Sequence, residues 1–115
     1  MTVVGTPYYM SPEVCQNHPY TFGSDVWALG CVLYELCTLE HAFSADNLLG
    51  LVYKIVKDKH EEIPSIYSKE LSNLIAMLLN KDASQRPSVK QILEMPLVRQ
   101  KMMEFVQSGG QTLGG

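Results

Sequence analysis

From Asp25 to Leu39 the chain is apolar on almost every side: Val26, Trp27, Leu29, Cys31, Val32, Leu33, Tyr34, Leu36, Cys37 and Leu39 leave little room for a wet face. A surface helix shows one apolar stripe, and a helix apolar all round belongs inside a larger core. The apolar run Val26 to Tyr34 is bracketed by Asp25 and Glu35. It is far short of the ~20 residues a membrane helix needs. This segment therefore predicts a buried central helix, one that needs partners on several sides.

The flanking sequence supplies other helices. Residues 1–10 carry Val3, Val4, Pro7, Tyr8 and Tyr9 and read as an extended loop. Ser11-Pro12-Glu13 reads as a helix start, with Ser11 as cap, Pro12 at the first helical position and Glu13 in the first turn. That helix is short, because Asn17, Pro19 and Gly23 follow. Ser24 is the expected cap of the central helix. Residues 45–57 predict a helix with Leu48, Leu49, Leu51, Val52, Ile55 and Val56 on one broad face, slightly weakened by Gly50. Residues 58–67 contain Pro64 and read as a loop. Ser68 caps a helix carrying Leu71, Leu74, Ile75, Leu78 and Leu79 at helical spacing. After a loop from Asn80 to Pro87, Ser88 caps a helix ended by Pro96, and a last helix runs from about Leu97 to Val106. Ser108 to Gly115 is glycine-rich with no core residue and reads as a disordered tail. No strand and no repeat emerges, so the fold class expected is all-α.

Composition narrows the function classes. The chain has 115 residues, 46% apolar and 18% charged, which fits a single globular domain. Its net charge of −3 and lack of any Lys/Arg cluster argue against a nucleic-acid partner. No signal peptide and no membrane span is read, and the expected location is cytoplasm, with nucleus or cytoskeleton as alternatives. Cys15, Cys31 and Cys37 show no framework spacing and read as buried free thiols. His18, His41 and His60 lack metal-ligand spacing, so no metal is assigned.

Three motifs carry a family resemblance across residues 2–99. They are Gly5-Thr6-Pro7-Tyr8-Tyr9-Met10-Ser11-Pro12-Glu13, Asp25-Val26-Trp27-Ala28-Leu29-Gly30, and Asp82-Ala83-Ser84-Gln85-Arg86-Pro87-Ser88. Together they resemble the end of the activation segment and the helical C-lobe of a serine/threonine protein kinase, with Ser-Pro-Glu where the kinase signature has Ala-Pro-Glu. The wording of the first motif and of residues 30–39 is closest to the NIMA-related kinases. The resemblance implies a partial kinase domain over 1–107: an extended activation-segment end followed by C-lobe helices, without the N-lobe.

It also implies roles. Gly5 and Thr6 match the substrate-side loop, Thr6 being the threonine that contacts the catalytic aspartate. Glu13 and Arg86 match a buried ion pair that ties that loop to the helical core; without the resemblance they are a first-turn acid and a surface charge. Asp25 matches the aspartate that holds the catalytic loop, which would leave it without a partner here. Trp27 matches a core aromatic, and Val32 and Leu36 match positions under the nucleotide site; core packing is sufficient for all three. Thr2 matches an activating phosphoacceptor.

The parts that perform phosphoryl transfer are not among these residues. No G-x-G-x-x-G, His-Arg-Asp or Asp-Phe-Gly occurs. The chain by itself is expected to bind no cofactor and to be inactive, while the complete parent would use ATP and magnesium on protein substrates. Its expected partner is the missing N-terminal part of the domain. The alternative is a non-catalytic helical interaction module derived from a kinase.

Overall fold

The computed structural model describes residues 7–107, and these are helical with no strand among them. The helices are α1 (Pro12–Cys15), α2 (Phe22–Thr38), α3 (Leu48–Lys57), α4 (Lys69–Leu78), α5 (Val89–Glu94) and α6 (Pro96–Gln107). A 3₁₀ turn over Ala83–Gln85 joins α4 to α5.

Local chemistry sets most of the boundaries. Ser68 accepts a hydrogen bond from the Leu71 N–H at 3.1 Å, and Asn47 accepts one from Gly50 at 2.7 Å. Ser88 and Gln91 exchange bonds in a capping box. Asn47 is the reason α3 opens at Leu48 and leaves Ala45 outside.

Two expected caps are corrected. Ser11 makes no capping bond; its hydroxyl is buried and donates toward Ser24 at 3.4 Å. Ser24 lies inside α2, which starts earlier, at Phe22, behind Thr21. There the Ser24 hydroxyl accepts from the Thr21 N–H at 3.2 Å. Pro96, expected only to end a helix, also opens α6, because proline suits a first helical position.

α2 is the axis of the fold. Val26, Trp27, Gly30, Cys31 and Tyr34 are buried along one side. α4 packs on this side, bringing Leu74 and Leu78 against Val26 and Ile75 and Leu79 against Cys31 and its neighbours. The approach requires Gly30. A Cβ there would sit 2.8 Å from Leu78 Cβ and 2.9 Å from Leu79 Cδ2. Phe43, Leu51 and Ile55 close the larger core from the α3 side, and α1 packs against α3. Cys31 is buried, and burial pushes its thiol up to about 12. Cys15 and Cys37 are only half-buried, so the expectation of three buried thiols holds for one.

The opposite side of α2 is open. Val32 is 41% exposed and Leu36 68% exposed, with Leu29 and Leu39 beside them. Core packing therefore accounts for Trp27 but leaves Val32 and Leu36 exposed. Leu39 caps α2 in the left-handed region at φ 60°, a conformation costly for a residue with a Cβ.

Candidate functional site

Arg86 joins three segments that the sequence keeps far apart. Its side chain is fully buried. The Nη1 and Nη2 groups donate to the two Glu13 carboxylate oxygens, each at 2.8 Å, across 73 residues. Nη1 also donates to the Gly23 carbonyl at 2.8 Å and Nε to the Asn80 carbonyl at 2.7 Å. The guanidinium fork matches a carboxylate in this two-bond manner, and the remaining donors find backbone acceptors. A buried charge left without such partners would be costly. The pair thus fastens α1 and the start of α2 to the loop before α5.

Ser24 completes the junction by donating to Glu13 Oε2 at 2.8 Å. Burial would raise the Glu13 carboxyl. The Arg86 bonds, Glu13's own backbone N–H, the Ser24 hydroxyl and the Arg86 charge outweigh it and hold the group at about 2. Glu13 is therefore ionised at any physiological pH.

Trp27 lies beneath this junction, fully buried. Arg86 Cζ is 5.0 Å from its ring centroid, and Phe43 stacks on it at 5.6 Å between centroids. Lys81 Nζ lies 4.3 Å from the Phe43 centroid and donates to the Ile55 carbonyl at 2.5 Å. Burial, helped by the Arg86 charge, pushes the Lys81 amine down to about 8. Both cations lie at cation–π range of these rings. The Trp27 indole N–H is buried with no hydrogen-bond partner.

Glu13, Arg86 and Trp27 are thus brought together. Asp25 stands apart at the exposed start of α2, where its carboxylate accepts from the Tyr20 hydroxyl. Tyr20 lies five residues before Asp25, so this contact is local to the start of α2. Val32 and Leu36 lie on the open side of α2. Thr2, Gly5 and Thr6 lie outside the described residues. Sequence reasoning missed Ser24 and Lys81. Ser24 resembles an ordinary cap, and Lys81 is one lysine in a polar loop, so neither carries a periodic signal.

The arrangement is a structural joint that ties α1, which follows the turn at residues 7–10, to the start of α2 and the loop before α5. The chain matches the protein kinase domain family over residues 1–98. It belongs to the protein kinase family. Its relatives are serine/threonine kinases of the Nek group. It is 47% identical to mouse serine/threonine-protein kinase Nek4 over 93% of this chain and 14% of that protein. It is 57% identical to probable serine/threonine-protein kinase nek3 of Dictyostelium discoideum over 86% of this chain and 9% of that protein. For mouse serine/threonine-protein kinase Nek1 the identity is 48%, over 91% of this chain and 9% of that protein. The chain therefore spans a small part of the length of the proteins it matches. No helix among the described residues is long and apolar enough to cross a membrane.

Proposed function

We propose that this chain is the activation-segment end and helical C-lobe of a serine/threonine kinase domain, which in its complete form transfers phosphate from ATP to hydroxyls of protein substrates. The observation that carries this reading is the Glu13–Arg86 junction, a buried two-bond pair linking the first motif to the third across the fold. In this reading Gly5 and Thr6 belong to the substrate-side loop, and Glu13, Arg86 and Trp27 hold that loop on the platform. Asp25, Val32 and Leu36 face the part of the domain that carries the catalytic machinery, and Thr2 is a phosphoacceptor position.

Among the described residues no three His, Cys, Asp or Glu side chains converge where an ion could sit. In this reading ATP and magnesium are held by the rest of a complete domain. What this chain's residues do is mechanical: the Arg86 fork fixes Glu13, Glu13 fixes α1, and α1 fixes the loop ahead of it.

Mass spectrometry of the endogenous protein tests the reading through peptides that cross Met1. Peptides running upstream in frame, in a protein that also carries Asp-Phe-Gly and His-Arg-Asp, are the expected result. A native N-terminus at Met1 would overturn it. The second reading, a non-catalytic interaction module, would then account for the open apolar side of α2.

A further inference from the structure

Four side chains outside the Glu13–Arg86 junction form a separate cluster. His41, in the connection between α2 and α3, stacks on Tyr8 with ring centroids 3.7 Å apart and planes within 8°. Its Nδ1 lies 2.9 Å from Glu35 Oε2, near the end of α2. The other oxygen, Glu35 Oε1, accepts from the Tyr9 hydroxyl at 2.8 Å. Both Glu35 oxygens are thereby engaged, one by Tyr9 and one by the His41 ring.

The connectivity shows what this cluster does. Tyr8 and Tyr9 point to opposite ends of one bridge, and Glu35 and His41 form that bridge from the platform side. Among the described residues ahead of α1, the Met10 N–H donates to the Pro7 carbonyl at 3.2 Å. Side-chain ties hold the turn to the platform: the His41 ring on Tyr8 and the Glu35 carboxylate on the Tyr9 hydroxyl. Tyr8 is also one wall of a cleft of about 550 Å³ whose other walls include Ser44, Asp46, Asn47 and Lys54. Fixing the Tyr8 ring therefore fixes the shape of that cleft.

We propose that His41 is a positioning residue for protein-substrate binding, clipping Tyr8 and, through Glu35, Tyr9 so that the loop ahead of α1 presents a preformed cleft wall to the substrate chain. This rests on the reading of residues 7–13 as the end of a kinase activation segment. Two variants separate its components. His41→Phe keeps an aromatic face for Tyr8 and loses the bond to Glu35. His41→Asn keeps a donor near the Nδ1 position and loses the stack.

Two experiments test it independently. In the 115-residue chain as it stands, hydrogen exchange is followed at the Met10 amide and along α4. His41→Ala is expected to accelerate exchange at Met10 about tenfold, with α4 unchanged, since local opening is governed by the ties that hold a segment. Unchanged Met10 exchange overturns the clip, whatever the kinase reading. In the second experiment the chain replaces the segment of mouse Nek4 that it matches, and phosphorylation of a protein substrate is measured. His41→Ala is expected to raise KM for the protein about fivefold with KM for ATP unchanged, and His41→Phe and His41→Asn to fall between, as partial loss of uniform binding requires. An active hybrid whose protein KM ignores His41 overturns the positioning role alone. An inactive wild-type hybrid overturns the kinase reading on which that role depends.

Discussion

Along α2, Val26, Trp27, Gly30, Cys31 and Tyr34 meet packed neighbours, whereas Phe22, Asp25, Leu29, Val32 and Leu36 meet solvent. Both sets recur at helical spacing, and both are largely apolar. Only the first is covered: α4 lies against Gly30, and Phe43 and Arg86 lie against Trp27. The difference teaches that apolar character does not by itself say what covers a residue. Each leucine-sized side chain that stays exposed forgoes about 1.5–3 kcal/mol of burial. A helix that leaves several exposed at regular spacing carries the mark of a surface built to be covered.

Substitutions can break this comparison, and the largest effects belong to the covered side. Arg86→Ala is expected to destabilise the chain by about 3–5 kcal/mol, because it removes the fork from Glu13 and opens space over Trp27. Urea melts followed by the single tryptophan would read this. A change below about 1 kcal/mol would mean that the junction does not hold the fold. Gly30→Ala comes next, at about 3 kcal/mol, since both nearest contacts of the new methyl fall under 3 Å and involve packed side chains. A helix–helix spacing that absorbed the methyl without loss would show that the covered side is looser than its distances imply.

Acid sharpens the comparison further. The Glu13 carboxyl is held at about 2 against an ordinary 4.5. A lowered carboxyl stabilises the folded state fully above pH 4.5, and this contribution is lost as pH falls toward 2. On the order of 2 kcal/mol should disappear across that window, after discounting for partial exposure. Glu13→Gln should flatten the decline, which a pH series of thermal melts would detect. The smallest effect is expected on the open side. Leu36→Ser should change the stability of this chain by less than about 0.5 kcal/mol. The same substitution in a complete kinase domain should cost more than about 1.5 kcal/mol if another segment covers Leu36 there. Equal effects in the two settings would remove the distinction between the sides of α2.

Much of the helical order was legible from residues alone. Ser68 and Ser88 declared their helices by cap chemistry, and Leu74, Ile75 and Leu78 declared the buried face of α4 by spacing. The start of α2 was misread because Ser24 is a good cap in isolation. Thr21 precedes it with an extended backbone, and Ser24's hydroxyl is engaged from inside the helix by the Thr21 N–H and by Glu13. Exposure of Val32 and Leu36 was not legible, since a hydrophobic run looks the same with or without its partner.

The sequence by itself determined the helix set, the all-α class and the family, because caps, turns and apolar spacing act over a few residues and the three motifs are written in order along the chain. Only the tertiary structure decided which apolar side of α2 is covered, that Arg86 also donates to the Gly23 and Asn80 carbonyls, and that His41 lies against Tyr8 and Glu35. These depend on residues distant in sequence arriving within a few ångströms of each other. That is a property of packing, and neither composition nor periodicity encodes it locally.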